Sequence, residues 1–476
     1  MLKYSERNGR NDSFNKAHCT TYSMVGLQEL NIYHKFNPIY WNTSVLICNS
    51  GSVDEELDSS TNYGKIGTAL GQVMKRGINV ALPNINKSGY TFEPDVENNR
   101  IYYGLFAISG INKDIAHYIM DNRPYTSLDD FIDKTQEVLK NTHYITLIKS
   151  GAFDELEGTD RKSIMKKYLS RTIDKVSKID GRHMIKMLNK KITPFTGDIQ
   201  ARYLNFRNYI FNSKFEIKTK YTTKNKKFYL LNSVSEDFFN EHFIGHCIEG
   251  KHYFFNEDGL IVNKNSFDNV YKKIAQPIVD WSKTKEAVDL YNNMILEEKI
   301  NDTYTSLEQM EIEALNYYYS GHLLDGCNLE NHGIEDFFEL SEEPEVKEKR
   351  TSKKGIEYNV YYSNRIAGTV IHKDKLKKVV YLLTPTGVVP IKYRDGAFGH
   401  YDKQISKINP DGSKTVINKS WFKRHSHLVV EGYRRDTMFY PYVSDKNRHT
   451  TMRIVEVNKD KEYPLKLEFE RPRVDK

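Results

Sequence analysis

Two stretches of the chain share one order of residue types: an apolar run, a glycine, one more apolar residue and a polar helix start. The first runs from Leu105 to Ala116 through Ser109-Gly110-Ile111-Asn112-Lys113, and the second from Leu147 to Asp154 through Ser150-Gly151. A glycine between two short helices lets the amides of the turn point outward together. The next helix's N-terminus adds partial positive charge, so the pair makes a nest for a phosphate. The plain alternative is a helix-turn-helix connection closed by a capping glycine. Two copies just ahead of a basic stretch bring the readings level. That stretch, residues 161–230, holds 19 Lys/Arg against 4 Asp/Glu and opens with Lys162, Lys166 and Lys167. Tyr and Phe are scattered through it, as on a surface that meets phosphates and bases, although solvated helix faces would have the same composition.

The chemistry that is absent is equally informative. Two-metal phosphoryl transfer needs acidic residues close together, commonly Asp-x-Asp. That spacing does not occur; the nearest patterns, Asp95-Val96-Glu97 and Asp460-Lys461-Glu462, lie in turn-like contexts. There is no Gly-rich phosphate loop and no nucleophile-elbow or dinucleotide motif. His425-Ser426-His427 has the spacing of a metal pair, but no acid or thiol surrounds it in sequence, so no metal site is read. No catalytic residue is assigned. The residues alone describe a chain that binds something anionic.

These groups need elements to position them. The chain has 476 residues, 28% charged and 39% hydrophobic, with net charge +7. That suffices for several cores and excludes a disordered protein. Four cysteines form no C-x-x-C pair, which points to a reducing, cytoplasmic compartment. No apolar run is long enough to cross a membrane. The expected fold is multidomain α+β, mostly helical in its first half. Residues 1–100 read as helices followed by an α/β segment, and 101–170 as short helices with glycine punctuation. Residues 171–300 are basic and then aromatic-rich, and 301–350 form an acidic helical connector with 13 Asp/Glu and one lysine between 301 and 348. Residues 351–476 alternate with period two over six candidate strands (Tyr358–Tyr362, Arg365–His372, Val379–Leu383, Val388–Tyr393, His427–Tyr433 and Met452–Val457), with glycine turns, and suit a small β-barrel. Such barrels bind single strands through basic grooves and aromatic platforms. The candidate platforms beside turns or strand ends are Tyr393, Phe398, Tyr401, Trp421, Phe439 and Tyr442.

Several segments together resemble the alpha subunit of bacterial DNA polymerase III, the C-family of replicative polymerases, in its C-terminal portion. Phe14-Asn15-Lys16-Ala17-His18, with Tyr22 and Tyr33 to Pro38, resembles the end of that family's fingers. Arg76 to Asn86, with Ser88-Gly89-Tyr90, resembles the next block. Tyr103 to Ile111 and Leu147 to Asp154 resemble its tandem helix-hairpin-helix module. Glu313-Ala314-Leu315 with Tyr319 to Asp325, then Arg365 to Val370 and Leu428 to Gly432, resemble the approach to and strands of its OB domain. The resemblance implies DNA-directed nucleotidyl transfer in DNA replication. Lys16, His18 and Tyr22 would bind the incoming nucleotide, the turns and Lys113 double-stranded primer-template, and the barrel single-stranded template. The palm carboxylates and their Mg2+ are expected on a separate or missing chain, so this chain alone should be inactive. A non-catalytic DNA-binding or clamp-adaptor protein descended from such a polymerase is the alternative. The nearest approach to the family's clamp-binding peptide is Gln276 to Trp281.

Overall fold

The computed structural model describes residues 16–50, 63–197, 199–200, 216–217, 228–351, 355–408, 414–442 and 450–471. Its contacts divide the chain into two compact units, Met1–Met165 with Tyr304–Lys476, and Lys166–Thr303.

The first unit opens with three helices, α1 (Lys16–Lys35), α2 (Pro38–Ser50) and α3 (Tyr63–Lys75). The break at Asn37-Pro38 follows from chemistry. Proline lacks the N–H that a first helical residue would leave unpaired, and the Asn37 side chain accepts from the Ile39 amide at 3.0 Å. Ile66, Leu70 and Val73 recur at helical spacing and are buried along one face of α3. Gly67 on α3 lies so close to the backbone that an added Cβ would sit 2.8 Å from the Asn316 carbonyl oxygen. Next come β1 (Asn79–Ala81), β2 (Glu93–Asp95) and β3 (Arg100–Tyr102), in the order β1-β3-β2 with β1 and β3 parallel. Helices α4 (Lys113–Asp121), α5 (Leu128–Thr135), α6 (Asn141–Lys149), α7 (Asp154–Glu157) and α8 (Arg161–Thr172) follow. Asn112 caps α4 and Ser127 caps α5, each accepting from the amide three residues on.

The second unit holds α9 (Gly181–Asn189), β4 (Glu216–Ile217), β5 (Phe228–Leu230), α10 (Ser233–His242), β6 (Tyr253–Asn256), β7 (Gly259–Asn263), α11 (Lys264–Trp281) and α12 (Lys285–Thr303). Its strands pair antiparallel in the order β4-β5-β7-β6. Phe239, Phe243 and Phe267 pack with Leu260 and Val262 as an aromatic core. The expected aromatic runs at 227–231 and 252–255 become β5 and β6. Most of the basic-aromatic segment from 201 to 227 lies outside the described residues.

The chain re-enters the first unit through α13 (Leu307–Leu315). A two-stranded hairpin, β8 (Val346–Thr351) and β9 (Glu357–Tyr361), precedes a closed five-stranded barrel. The barrel strands are β10 (Asn364–Asp374), β11 (Val379–Thr384), β12 (Gly387–Lys392), β15 (His427–Arg435) and β16 (Met438–Pro441). Between β12 and β15 stand α14 (Asp395–Asp402) and the pair β13 (Ile405–Ile408) and β14 (Lys414–Asn418). The order β10-β11-β12-β16-β15 closes where β10 pairs with β15, and β12 meets β16 in parallel at Ile391 and Phe439. This is the OB arrangement expected for the C-terminal part. Strands β17 (Thr451–Val457) and β18 (Leu465–Glu468) extend the sheet beyond β15. Val370, Val380, Leu382, Ile391, Leu428 and Val430 alternate inward with the strand period. Five of the six strands read from alternation lie in the barrel sheet. The sixth, Tyr358–Tyr362, corresponds to β9 and pairs outside it. The short β16 carries no alternation to read.

Three histidines join α13 and its following turn to the barrel. His322 accepts from the Leu324 amide through Nδ1 and faces the Leu383 carbonyl through Nε2, and His427 bridges Thr369 and Gln309. His425 reaches Asn316 at 3.4 Å. Burial holds all three imidazoles at about 4, below the ordinary 6.5. The unfolded chain therefore binds more protons than the folded one between pH 6.5 and pH 4. Stability is full above pH 6.5 and falls as pH drops through that window. Thermal unfolding at stepped pH is expected to show this acid-side decline, with a shallower slope in His427→Gln.

Glu311, wholly buried, accepts from the buried Arg161 at 3.2 Å. Removing one partner of such a pair strands a buried charge. Glu311→Ala is expected to lower unfolding free energy by about 3–5 kcal/mol in urea titrations. Glu297→Ala, which breaks an exposed pair with Lys166, should cost below about 1 kcal/mol.

Candidate nucleic-acid interface

The first glycine turn is built outward. A single 3-10 turn, Leu105–Ala107, ends at Ile108, and the chain reverses at Gly110 with φ +80°. Only glycine adopts that angle without strain, and a Cβ there would meet nothing within 4 Å. Ile111 is buried and anchors the turn, while Gly110 and Asn112 are exposed and Lys113 is half-exposed. Ser109 sits inward of them. Its amide donates to the Ala314 carbonyl at 2.8 Å and its hydroxyl accepts from Asn316 at 3.0 Å. The turn thus presents the N-terminus of α4 to solvent, with the end of α13 holding it from behind.

The second turn faces the other way, which corrects the sequence expectation for Ser150 and Gly151. Both are buried. The amides of Ser150, Gly151 and Ala152 donate to the carbonyls of Thr146, Ile148 and Leu147. Gly151 has φ +83°, and a Cβ there would fall 2.6 Å from the Arg161 guanidinium. Arg161 donates to Asp154 at 2.8 Å, to the Lys149 carbonyl and to Glu311. A phosphate cannot reach amides already committed and covered by this network. Burial raises Asp154 above the usual carboxylate range despite the adjacent Arg161.

Among the lysines, Lys162 is exposed with its ammonium 5.8 Å from the Tyr304 ring. In the second unit Lys166 is exposed and pairs weakly with Glu297 at 3.5 Å, and Lys167 is half-buried. The side chains of Lys16 and His18 lie outside the described residues, on the first turn of α1; Tyr22 on the same helix is 66% exposed. Around Gln276 the chain is helical. Gln276 donates to Asp280 within α11, and Ile278 is buried in the unit's core, so its side chain is not available to a partner's pocket.

Five of the six expected platforms on the barrel are corrected, Tyr401 being buried in the core like the others. Phe398, Trp421 and Phe439 are between 0% and 3% exposed and pack in the barrel core, where no base can stack. Tyr393 borders a surface groove, but it is 3% exposed and its hydroxyl is bonded to Thr451. Alternation and turns could not distinguish these core aromatics from surface ones. The groove itself has a volume of about 1300 Å³. One wall is the β8–β9 hairpin with Tyr358, Tyr361 and Tyr362. The other is the barrel with Tyr433, Tyr440 and Tyr442. Lys347, Arg350, Lys378, Lys392 and Arg394 line it against two carboxylates, Glu348 and Asp395. It lies beside the β10–β11 turn and the ends of β15 and β16, the loop end at which OB barrels take oligonucleotides. Of these tyrosines Tyr442 is among the expected platforms; Tyr358, Tyr361, Tyr433 and Tyr440 fall in strands that look like ordinary barrel strands, and Tyr362 directly follows one.

Comparison with known proteins agrees with this geometry. Residues 77–164 match the helix-hairpin-helix motif family. Over 459 residues, 93% of the chain, it is 37% identical to the probable DNA polymerase YorL of Bacillus subtilis, and equally to the DNA-directed DNA polymerase of Bacillus phage SPbeta. It is also 30% identical over 157 residues, 32% of the chain, to the DNA polymerase III subunit alpha of Xylella fastidiosa, where the match covers 12% of the relative. The chain spans about a third (34%) of the length of the first two. Among the described residues no helix is long and apolar enough to cross a membrane. The chain is thus a relative of the polymerase III alpha-like DNA polymerases and matches a C-terminal portion of them.

Proposed function

We propose that this chain is the DNA-gripping portion of a replicative polymerase III alpha-like polymerase. It holds primer-template duplex while nucleotidyl transfer takes place at palm carboxylates that lie outside these 476 residues. The observation that carries the reading is the exposed, positive-φ turn at Gly110, set ahead of the capped N-terminus of α4, in a segment matching the helix-hairpin-helix motif. Exposed amides at a helix N-terminus suit a phosphate, and Lys113 adds charge beside them. The second turn acts as the internal buttress of a tandem module. In α1 the described side chains are all unburied, although Met24, Leu27, Leu30, Ile32 and Phe36 lie around it. Apolar side chains left exposed together on one helix call for a covering surface, which supports a palm-bearing partner packed on α1 and the nucleotide role of Lys16, His18 and Tyr22.

The chain should bind duplex DNA without sequence preference, with log K falling against log salt at a slope of roughly −5 if five or six phosphates are neutralised. Gly110→Val is expected to weaken duplex binding about tenfold with the fold intact. Gly151→Val should instead lower thermal stability, because its Cβ meets Arg161. Anisotropy titrations at several salt concentrations, beside melting curves, check both, and a flat salt response would end the reading.

Primer extension gives a second test. The chain alone should add no nucleotide, and mixing it with a palm-bearing polypeptide of the same polymerase should restore extension. In that mixture Lys16→Ala or His18→Ala should raise the apparent KM for nucleotide, with smaller effect on DNA affinity.

A further inference from the structure

The structure assigns the β8–β9 hairpin a role of its own. We infer that it is the second wall of a channel that grips one unpaired polynucleotide strand against the barrel, and that it makes the barrel selective for single strands over duplex. The inference rests on the reading of the chain as a DNA-binding polymerase portion, but concerns a different surface from the Gly110 turn.

The hairpin does not belong to the barrel. Its strands pair only with each other, and every described side chain of β8 is exposed. A two-stranded hairpin in water is marginal by itself, so contacts across the groove matter to it. Tyr361 lies 4.7 Å, ring to ring, from Tyr433 on β15 and accepts a hydrogen bond from Arg435 at 3.1 Å. At the hairpin's base the Tyr442 hydroxyl donates to the Tyr362 carbonyl. Behind Tyr433 stands Tyr440, with rings 5.8 Å apart and 15° from parallel. Rings from both walls therefore meet across the groove, and a base stacks on the faces they turn to its open side.

The charges suit a backbone running along the same path. Glu348 is neutralised by Arg350 at 2.6 Å and Asp395 faces Lys378 at 3.8 Å. Lys347, Lys392 and Arg394 remain without a carboxylate partner among the described residues. A base stacked on a tyrosine needs its face free, which a paired and stacked duplex does not offer. Removing the hairpin opens one wall and takes away two of the six rings, Tyr358 and Tyr361, and two of the five cations, Lys347 and Arg350.

The test uses the full chain. The Tyr362 amide donates to the Glu345 carbonyl at 3.1 Å, so the hairpin can be excised by joining Glu345 to Tyr362 through an Asn-Gly turn without moving the barrel. Anisotropy is measured on a labelled dT oligonucleotide, the matching rU oligonucleotide and a blunt duplex of equal length. The excised chain should lose single-strand affinity by at least about tenfold, with duplex affinity unchanged and the melting temperature of the barrel preserved. Tyr433→Ala and Tyr361→Ala should each lose several-fold and Tyr433→Phe little, which decides the matter even if the excision misfolds. The dT and rU arms show whether the strand is DNA, RNA or either. Wild-type single-strand affinity in the excised chain or in both alanine variants overturns the inference, as does equal loss on duplex and single strand. Loss of duplex binding in Gly110→Val with single-strand binding retained separates the two surfaces. A wild-type chain that binds the single strand but no duplex would instead overturn the reading of the Gly110 turn while leaving the channel in place.

Discussion

The carboxylate of Glu311 is the point on which the first unit depends. It is fully buried and accepts four hydrogen bonds, from Arg161, from the amides of Tyr319 and Ser320 and from the Ser320 hydroxyl. A carboxylate out of water is tolerable only when its oxygens are saturated in this way. Meeting that requirement fixes three pieces of chain at once. Arg161 must lie at the start of α8 and over Gly151, α13 must turn at Asn316, and residues 319–320 must fold back beneath the helix-hairpin segment. Asn316 makes the turn with φ +58° and ties its side chain to Ser109. The outward Gly110 turn is therefore aimed by a buried charge on the far side of the module.

The same constraint explains why two similar sequence motifs diverge. Both glycines take positive φ, as their neighbours predicted. What the turns face is decided by Arg161 and Glu311, about 150 residues apart in sequence and invisible to any local pattern. Charge composition misleads here as well. α7 carries Asp154, Glu155 and Glu157, three acids where a phosphate site was expected. Each is taken by an internal donor, from Arg161, from Asn84 and Lys87, and from the Leu128 amide. Hydrogen bonding to Lys87 holds Glu155 below the ordinary carboxylate range. These acids hold the module together.

In the barrel, what alternation can reach was legible. Inward positions such as Val380, Leu382, Leu428 and Val430 announce strands because one face must be dry. The platforms were misread because an aromatic beside a turn satisfies two incompatible environments equally well. Trp421 follows a turn and is fully buried, while Tyr358 lies within a strand and is 48% exposed. The deciding fact is which strands close the barrel. Tyr358, Tyr361 and Tyr362 belong to a hairpin that does not join the closed sheet, so their faces have no partner layer to pack on. Topology turned expected core residues into surface ones and expected platforms into core.

On the proposed reading the first unit separates two kinds of recognition, by backbone and by side chain. Beyond the Gly110 turn the group offered is the exposed N-terminus of α4, which attracts any phosphate and reads no base. In the groove the groups offered are tyrosine faces, which require a base to be unpaired before it can stack. Main-chain donors need a rigid frame, and the turn has one in Ile111 and the Ser109–Ala314 bond. Ring faces need an open side on which a base can stack, and the groove obtains it by placing Tyr358 and Tyr361 on a hairpin outside the barrel. The rigid site sits where Glu311 fixes the frame, and the adaptable one where the chain leaves the closed sheet.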